Sequence, residues 1–488
     1  MKKLSFICLI WASVVLLVAC GRGNGEYETH EVYEPYTAYD ETILYEPPYD
    51  IYETANVYEP SYLQVSADLT GFAADAVYLV ELIEATHPIF VVDGWLGDDY
   101  EDIRDEFLEY ALNPDITRFD FTFAAARYIT TLRDGHMRWA LRDSEDAWGF
   151  AIMGRPLAVS LEAQSDMLFM LDTDENGAVT RAQVTSVGGV PVADVFAVVY
   201  RYFYAENEPD HYFQRGWFTR YENIITRAGG EIAGDVVTVT IYENGETTII
   251  EVPFRHIDDA VYVDDADFII RYEIIDDIFL IDLRQFIDGE HITHTVTAIE
   301  QAIEDGINKF IVDLRDNPGG DSTAGSRLLQ AMGLAVPHYG VIRRLSDVFF
   351  TTPILRDIYM HYLVQFTQGR EYVRHEPLIH DDGNRHNVFV SVLTNTITYS
   401  SATMMGVWVQ DGGFGNIIGS PSMNAPNCFG SWMGPVTLPY SGIAVWLSSS
   451  QFLRPDVNAD PTTLWPDIMV DPAEALEVAI EYLRGLDR

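Results

Sequence analysis

The sequence predicts an α/β protein, and three observations carry that reading. After residue 270, buried-type apolar runs alternate with amphipathic stretches, as in strands joined by crossover helices. From about 151 to 255 the pattern is one of short strands and turns, while from about 73 to 136 it is helical. At 488 residues, 48% of them hydrophobic and 13% aromatic, the chain can build two or three domains with sizeable cores, which excludes a wholly disordered protein.

Residues 1–20 have the anatomy of an export signal, with Lys2 and Lys3 ahead of the apolar run Leu4–Ala19, which is short for a membrane span. The run ends Leu17-Val18-Ala19-Cys20, which resembles the bacterial lipobox. That resemblance implies cleavage before Cys20 and a diacylglyceryl group on its thiol, hence an extracytoplasmic protein anchored to a bacterial membrane. An ordinary signal with a chance cysteine is the alternative. Residues 21–62 are dense in Glu, Asp, Tyr and Pro, with Tyr-Glu-Pro at 33–35, 45–47 and 58–60, and no periodicity. Self-repelling charge and proline make this an extended tether. A tract that stacks on a glycan or wall polymer is the other reading.

A helical subdomain over 63–150 follows, with Val77, Leu79, Val80 and Ile83 ending at His87-Pro88, and a second helix over Phe121–Leu132 leading into Asp134-Gly135-His136. A β-module spans 151–257: Val184–Val192 reads as a strand and tight turn, and Val236–Ile241 and Thr247–Val252 flank the hairpin signal Glu243-Asn244-Gly245. The α/β core is placed at 258–488. It holds strands at Phe279–Leu283, Phe310–Leu314, Val388–Leu393 and Ile417-Ile418, and helices marked by Val296, Ile299 and Ile303, by Ser400–Val409 and by Ala473–Leu486. The acidic run Asp258–Asp267 reads as a solvated connection.

Thirty basic residues against 75 acidic give a net charge of −45, so nucleic acid is excluded as a partner. Cys8, Cys20 and Cys428 cannot make a disulfide framework or a cysteine-based zinc site. His291, His294, His375, His380 and His386 lack defensible ligand spacing, so no metal and no cofactor are assigned. Lysine occurs only at 2, 3 and 309, and Lys309, just before a strand, reads as a solvated edge residue.

Three segments could do chemistry. In Val312-Asp-Leu-Arg-Asp-Asn-Pro-Gly-Gly320 a strand runs into paired glycines, where backbone N–H groups can face an anion; any strand-to-helix turn can also use them. Ser400, in Thr398-Tyr399-Ser400-Ser401, stands at the mouth of a helix, as a cap or as a nucleophile favoured by the helix dipole. His136, after Asp-Gly at a helix end, is a packing residue or a presented general base. Among competitors, Gly320-Asp321-Ser322 reads better as a helix cap than as a protease motif, and Cys428 reads as a loop cysteine.

Taken together, residues 70–488 resemble the tail-specific (C-terminal processing) serine protease family, in its tricorn-core-like branch. The resemblance rests on His87-Pro88, Asp134-Gly-His136, Val184-Thr-Ser-Val-Gly-Gly-Val-Pro-Val192, Asp313-Leu-Arg-Asp-Asn-Pro-Gly-Gly320, Tyr399-Ser-Ser-Ala402, Asn416–Gly419, Leu438–Gly442 and Trp465–Ile468, in that order. It implies a crotonase-like (ClpP-like) core, a helical N-terminal subdomain and a small, degenerate PDZ-like module. It further implies acyl transfer through Ser400, with an oxyanion hole from the amides of Ser401 and of Gly319 or Gly320. The lysine of Ser–Lys members falls at Ala425, and no lysine follows Lys309, so that dyad is excluded. In the lysine-free branch His136 is the base and an acidic residue six before the Pro of Pro-Asp supports it; here that is Asp460, shorter than Glu by a methylene. The chain departs from the family at Thr403, which stands for the Glu of Ser-x-x-Glu, and over Pro421–Trp432, which lacks Thr-x-Gly. The expected activity is a lipid-anchored serine-type peptidase acting on peptides or unstructured C-terminal segments. A non-catalytic lipoprotein of the same fold, holding a peptide or apolar ligand, is the second expectation, and a crotonase-type enzyme on acyl thioesters a weaker third.

Overall fold

The computed structural model describes residues 69–92, 94–141, 153–173, 179–255, 268–351, 359–381 and 383–486; the signal, Cys20, the tether and the Asp258–Asp267 run lie outside them. Helices α1 (Gly71–Thr86), α2 (Tyr100–Ala111) and α3 (Arg118–Thr130) form the N-terminal region, and strand β1 (Arg138–Leu141) follows. His87 caps α1 and Pro88 forbids its continuation, as the sequence predicts.

Next come β2 (Ser160–Gln164), β3 (Met167–Thr173), β4 (Val179–Val187), β5 (Val190–Pro191), α4 (Val192–Tyr202), α5 (Glu208–Thr219), α6 (Glu222–Arg227), β6 (Ile232–Ala233), β7 (Val236–Glu243) and β8 (Glu246–Pro253). The order β2-β3-β4-β7-β6, with β5 on β4 and β8 on β7, makes one antiparallel sheet. Its hairpin turn closes at Asn244 (φ 52°) and Gly245 (φ 86°), both positive as a type I′ turn requires. The three helices are a correction, since the sequence reading gave this stretch only strands and turns. Val192, Val195, Phe196 and Val199 are buried along one side of α4. Their β-branched composition suggests strand, but their spacing is helical, and burial on one face wins.

The remaining elements are β9 (Ile270–Ile275), β10 (Ile278–Leu283), α7 (Glu290–Glu304), β11 (Lys309–Asp313), α8 (Ser322–Ala331), β12 (Gly340–Arg344), α9 (Asp347–Thr351), α10 (Leu363–Thr367), β13 (Tyr372–His375), β14 (Phe389–Thr394), α11 (Ser401–Asp411), β15 (Gly415–Gly419), β16 (Cys428–Thr437), β17 (Ile443–Leu453), β18 (Ile468–Met469) and α12 (Ala475–Gly485). Strands β18-β15-β14-β11-β10 run parallel, with β9 antiparallel at the edge. Both faces of this sheet are covered. Phe279, Ile281, Phe310 and Val312 pack with Leu328 of α8 and Met405 of α11, while Ile278, Leu280 and Ile311 pack under Ala475, Ala479 and Leu483 of α12. Burial on both sides explains why these strands read as continuous apolar runs.

A third sheet joins the N-terminal region to the core: β17 pairs with β1, β12 and β16. Leu79, Ile83, Phe121 and Tyr128 share one apolar cluster with Phe349, Phe429, Val445 and Leu447. The helices therefore pack as part of the core layer, which fixes the turn after α3 in space. Lys309 is a further correction. It is 5% exposed and its ammonium lies 2.8 Å from Asp277 Oδ2. Its stem sits inside the sheet and its charged tip meets Asp277. Among the described residues no helix is long and apolar enough to cross a membrane.

Candidate active site

Two strand-to-helix turns meet at the carboxyl ends of the neighbouring parallel strands β11 and β14, where open α/β sheets commonly place a site. After β11 the chain turns through Asp316 (φ 61°), Gly319 (φ 93°) and Gly320 (φ 135°). After β14 it turns through Thr398-Tyr399-Ser400 into α11. The turns are tied together: Tyr399 N–H donates to the Asn317 carbonyl at 2.9 Å, and the Thr398 hydroxyl to that of Leu314 at 2.8 Å. Gly319 must lack a side chain, because a Cβ there would lie 2.7 Å from both Ser400 Cβ and the Tyr399 carbonyl oxygen.

Ser400 occupies the N-cap position of α11 but does not cap it; its backbone is at φ 54°, ψ −122°. Such a conformation costs a non-glycine residue about 1–3 kcal/mol and persists only where its surroundings hold it. Ser400 N–H donates to Asn424 Oδ1 at 2.8 Å, and Asn424 is 1% exposed. The Ser400 hydroxyl has no hydrogen-bond partner among the described residues. Ser401 donates its hydroxyl to the Gly320 carbonyl at 2.6 Å, and Gly319 N–H donates to Asn317 Oδ1 at 2.8 Å. Of the amides expected at an oxyanion hole, that of Gly319 is thus committed, and those of Gly320 and Ser401 are the candidates.

His136 reaches this place from the N-terminal region. Its ring centroid lies 4.8 Å from that of Tyr399, and Nδ1 lies 3.4 Å from the Tyr399 hydroxyl. The turn that presents it is fixed by a fully buried pair: His87 Nδ1 accepts from Ile89 N–H, leaving Nε2–H to donate to Asp134 Oδ2 at 3.0 Å. Asp134 Oδ1 then accepts His136 N–H at 2.7 Å. Burial alone would raise the Asp134 pKa. The His87 hydrogen bond and charge, with His136 nearby, hold it below the usual carboxylate range instead.

Asp460, the carboxylate expected beside His136, lies elsewhere. It is exposed, accepting from Thr462 N–H (2.8 Å), the Thr462 hydroxyl (2.7 Å) and Trp465 Nε1 (2.9 Å). The carboxylate near His136 is Glu206, which the sequence reading missed: Oε1 lies 3.4 Å from Nδ1, and the side chain is 5% exposed. Glu206 Oε1 accepts Gly135 N–H at 3.2 Å; Oε2 accepts Ala425 N–H at 2.9 Å and the amide of Asn424. Gly135 allows this approach, since a Cβ there would sit 2.7 Å from Glu206 Cγ. The one local signal the sequence carries there is a helix start at Asn207, three before Asp210. Asp210 N–H donates to Asn207 Oδ1 and Glu206 N–H to Asp210 Oδ2, each at 3.0 Å.

Asp134, His136 and Glu206 also bring possible metal-ligand atoms within 4.8 Å of one another. Their carboxylate oxygens are spent on the hydrogen bonds above, so the trio is explained without an ion. Cys428 begins β16 rather than lying in a loop, and burial with the charges of Glu206 and Asp134 pushes its thiol up. A thiol kept protonated is a poor nucleophile. Asp321 caps α8 by accepting Thr323 N–H at 2.9 Å, as expected, and Thr403 turns its hydroxyl inward to the Thr398 carbonyl at 3.2 Å.

Residues 277–470 match the model of peptidase family S41. Among solved structures, the chain is similar to mature CPAF complexed with lactacystin, at TM-score 0.55 and 14% identity over 85% of this chain and 97% of that one. It is also similar to uncomplexed mature CPAF, at TM-score 0.55 and 14% identity over 85% and 95%. The photosystem II D1 C-terminal processing protease matches at TM-score 0.45 and 15% identity, over 85% and 98%. At such identities the two CPAF likenesses bear on the fold. No curated protein matches the sequence.

Proposed function

We propose, from the premise that this chain is a serine-type peptidase built around a peptidase family S41 domain, that Ser400 is its nucleophile and His136 its general base. One observation carries the reading. Ser400 is held in a strained turn at the head of α11 with its hydroxyl uncommitted, and its chain neighbour Tyr399 stands against His136, a histidine delivered from another part of the fold. His136 Nε2 takes the hydroxyl proton, and Ser400 Oγ attacks the peptide carbonyl carbon. The Gly320 and Ser401 amides hold the resulting oxyanion. His136 gives the proton to the leaving amine, and water releases the acyl group.

The substrates are peptides or unstructured C-terminal segments, and the net charge of −45 favours basic or neutral ones. The core is crotonase-like, and the antiparallel module is a degenerate PDZ-like unit that receives an extended peptide by strand addition. Export and a lipid on Cys20 complete the proposal and rest on the Leu17–Cys20 pattern. The test is labelling of the full chain by a fluorophosphonate probe. Wild type is expected to label, and Ser400→Ala and His136→Ala are expected to abolish it. A folded wild type that stays unlabelled rejects the assignment.

A further inference from the structure

Glu206 deepens this reading, on which it depends, because one buried carboxylate touches both halves of the site. Its Oε1 lies 3.4 Å from His136 Nδ1. Its Oε2 accepts from the Asn424 amide, whose own Oδ1 accepts Ser400 N–H at 2.8 Å. The same oxygen accepts Ala425 N–H at 2.9 Å, at the position where the lysine of Ser–Lys relatives would stand. The carboxylate comes from neither of the elements that carry Ser400 and His136. It belongs to the connection between α4 and α5, in the module with the antiparallel sheet. That connection is pinned to the core, since Asn207 Nδ2 donates to the Ser422 carbonyl at 3.0 Å and that of Thr462 at 3.1 Å.

We propose that Glu206 is the positioning residue of the catalytic centre, orienting His136 through Nδ1 and, through Asn424, holding the Ser400 turn. The side-chain oxygens of Glu206 accept from three N–H donors, those of Gly135, Asn424 and Ala425, which offset the cost of burial. The side chain holds Nδ1 on the Glu206 side of the imidazole, which assigns the role of base to Nε2. The module thereby completes the site as well as walling it, and Asp460 has no part in it.

The experiment measures fluorophosphonate inactivation of the full chain, separating the limiting rate kinact from the probe's KI, with thermal melting alongside. Glu206→Gln keeps the shape and removes the charge. It is expected to lower kinact by ~10²-fold with KI little changed, and to lower the melting temperature, because one amide NH2 then faces an N–H donor. Asn424→Ala is expected to lower kinact as well, and the double variant Glu206→Gln/Asn424→Ala to lose far less than the product of the two, because both break one relay. Wild-type kinact in Glu206→Gln overturns the proposal while leaving the Ser400 assignment intact. Multiplicative losses in the double variant overturn the relay. Labelling that survives Ser400→Ala overturns both assignments together.

Discussion

The turns after β11 and β14 stand side by side, each running from a parallel strand into a helix, yet they use the side chain at the helix N-cap in opposite ways. Asp321 has an ordinary extended backbone (φ −83°) and spends its carboxylate on capping α8. Ser400 sits at φ 54° and leaves α11 uncapped. The first helix start is capped locally, by Asp321 on Thr323 N–H. The second is held from outside, by the missing Cβ of Gly319 and by Asn424, and the hydroxyl that a local cap would consume stays available. A helix N-terminus becomes a candidate reactive site when tertiary contacts outbid the local hydrogen bond.

The sharpest way to break this contrast is Gly319→Ala. A Cβ 2.7 Å from Ser400 Cβ, at a φ of 93°, must displace the serine turn; labelling is expected to fall by ~10²-fold or more. Unchanged labelling kinetics would show that Ser400 is not held from outside. Next in size is the buried pair behind His136. His87→Ala strands the Asp134 carboxylate and is expected to cost ~3–5 kcal/mol, read from denaturant midpoints at constant slope.

The same pair predicts a pH dependence. Since the folded-state pKa of Asp134 is depressed, its contribution is present above the unfolded value of about 4 and is lost as pH falls through the folded value. Subtracting Asp134→Asn stabilities from wild type across acid pH should leave a difference that shrinks toward low pH. A difference flat with pH contradicts the assignment.

At the conventional turn, Asp321→Ala is expected to cost about 1 kcal/mol in chemical denaturation while labelling stays unchanged. The smallest effect belongs to Asp460→Asn. With its carboxylate on Thr462 and Trp465, labelling should stay within about twofold of wild type. A large loss would restore Asp460 to the site.

Much of this was legible in the residues themselves. The apolar strands Phe279–Leu283 and Phe310–Leu314, the hairpin at Asn244-Gly245 and the stop at His87-Pro88 are local patterns, because burial and turn chemistry act within a few positions. Asp134-Gly135-His136 was also visible as a segment. Its inner logic was not: Asp134 answers His87, Gly135 makes room for Glu206, and His136 meets Tyr399.

By itself the sequence determined the strand and helix menu, the acidic surface, the absence of a Ser–Lys dyad and the candidates Ser400 and His136. Tertiary structure alone decided which carboxylate faces the histidine, which glycine amide is already spent, and that Lys309 is buried. The physical reason is distance along the chain. Glu206 lies 71 residues from Gly135 and 219 from Ala425, which donate to it, and no periodicity reports a contact made across such separations. Nothing in Ala205-Glu206-Asn207 distinguishes that acid from the other acidic residues of the chain until packing excludes water around it.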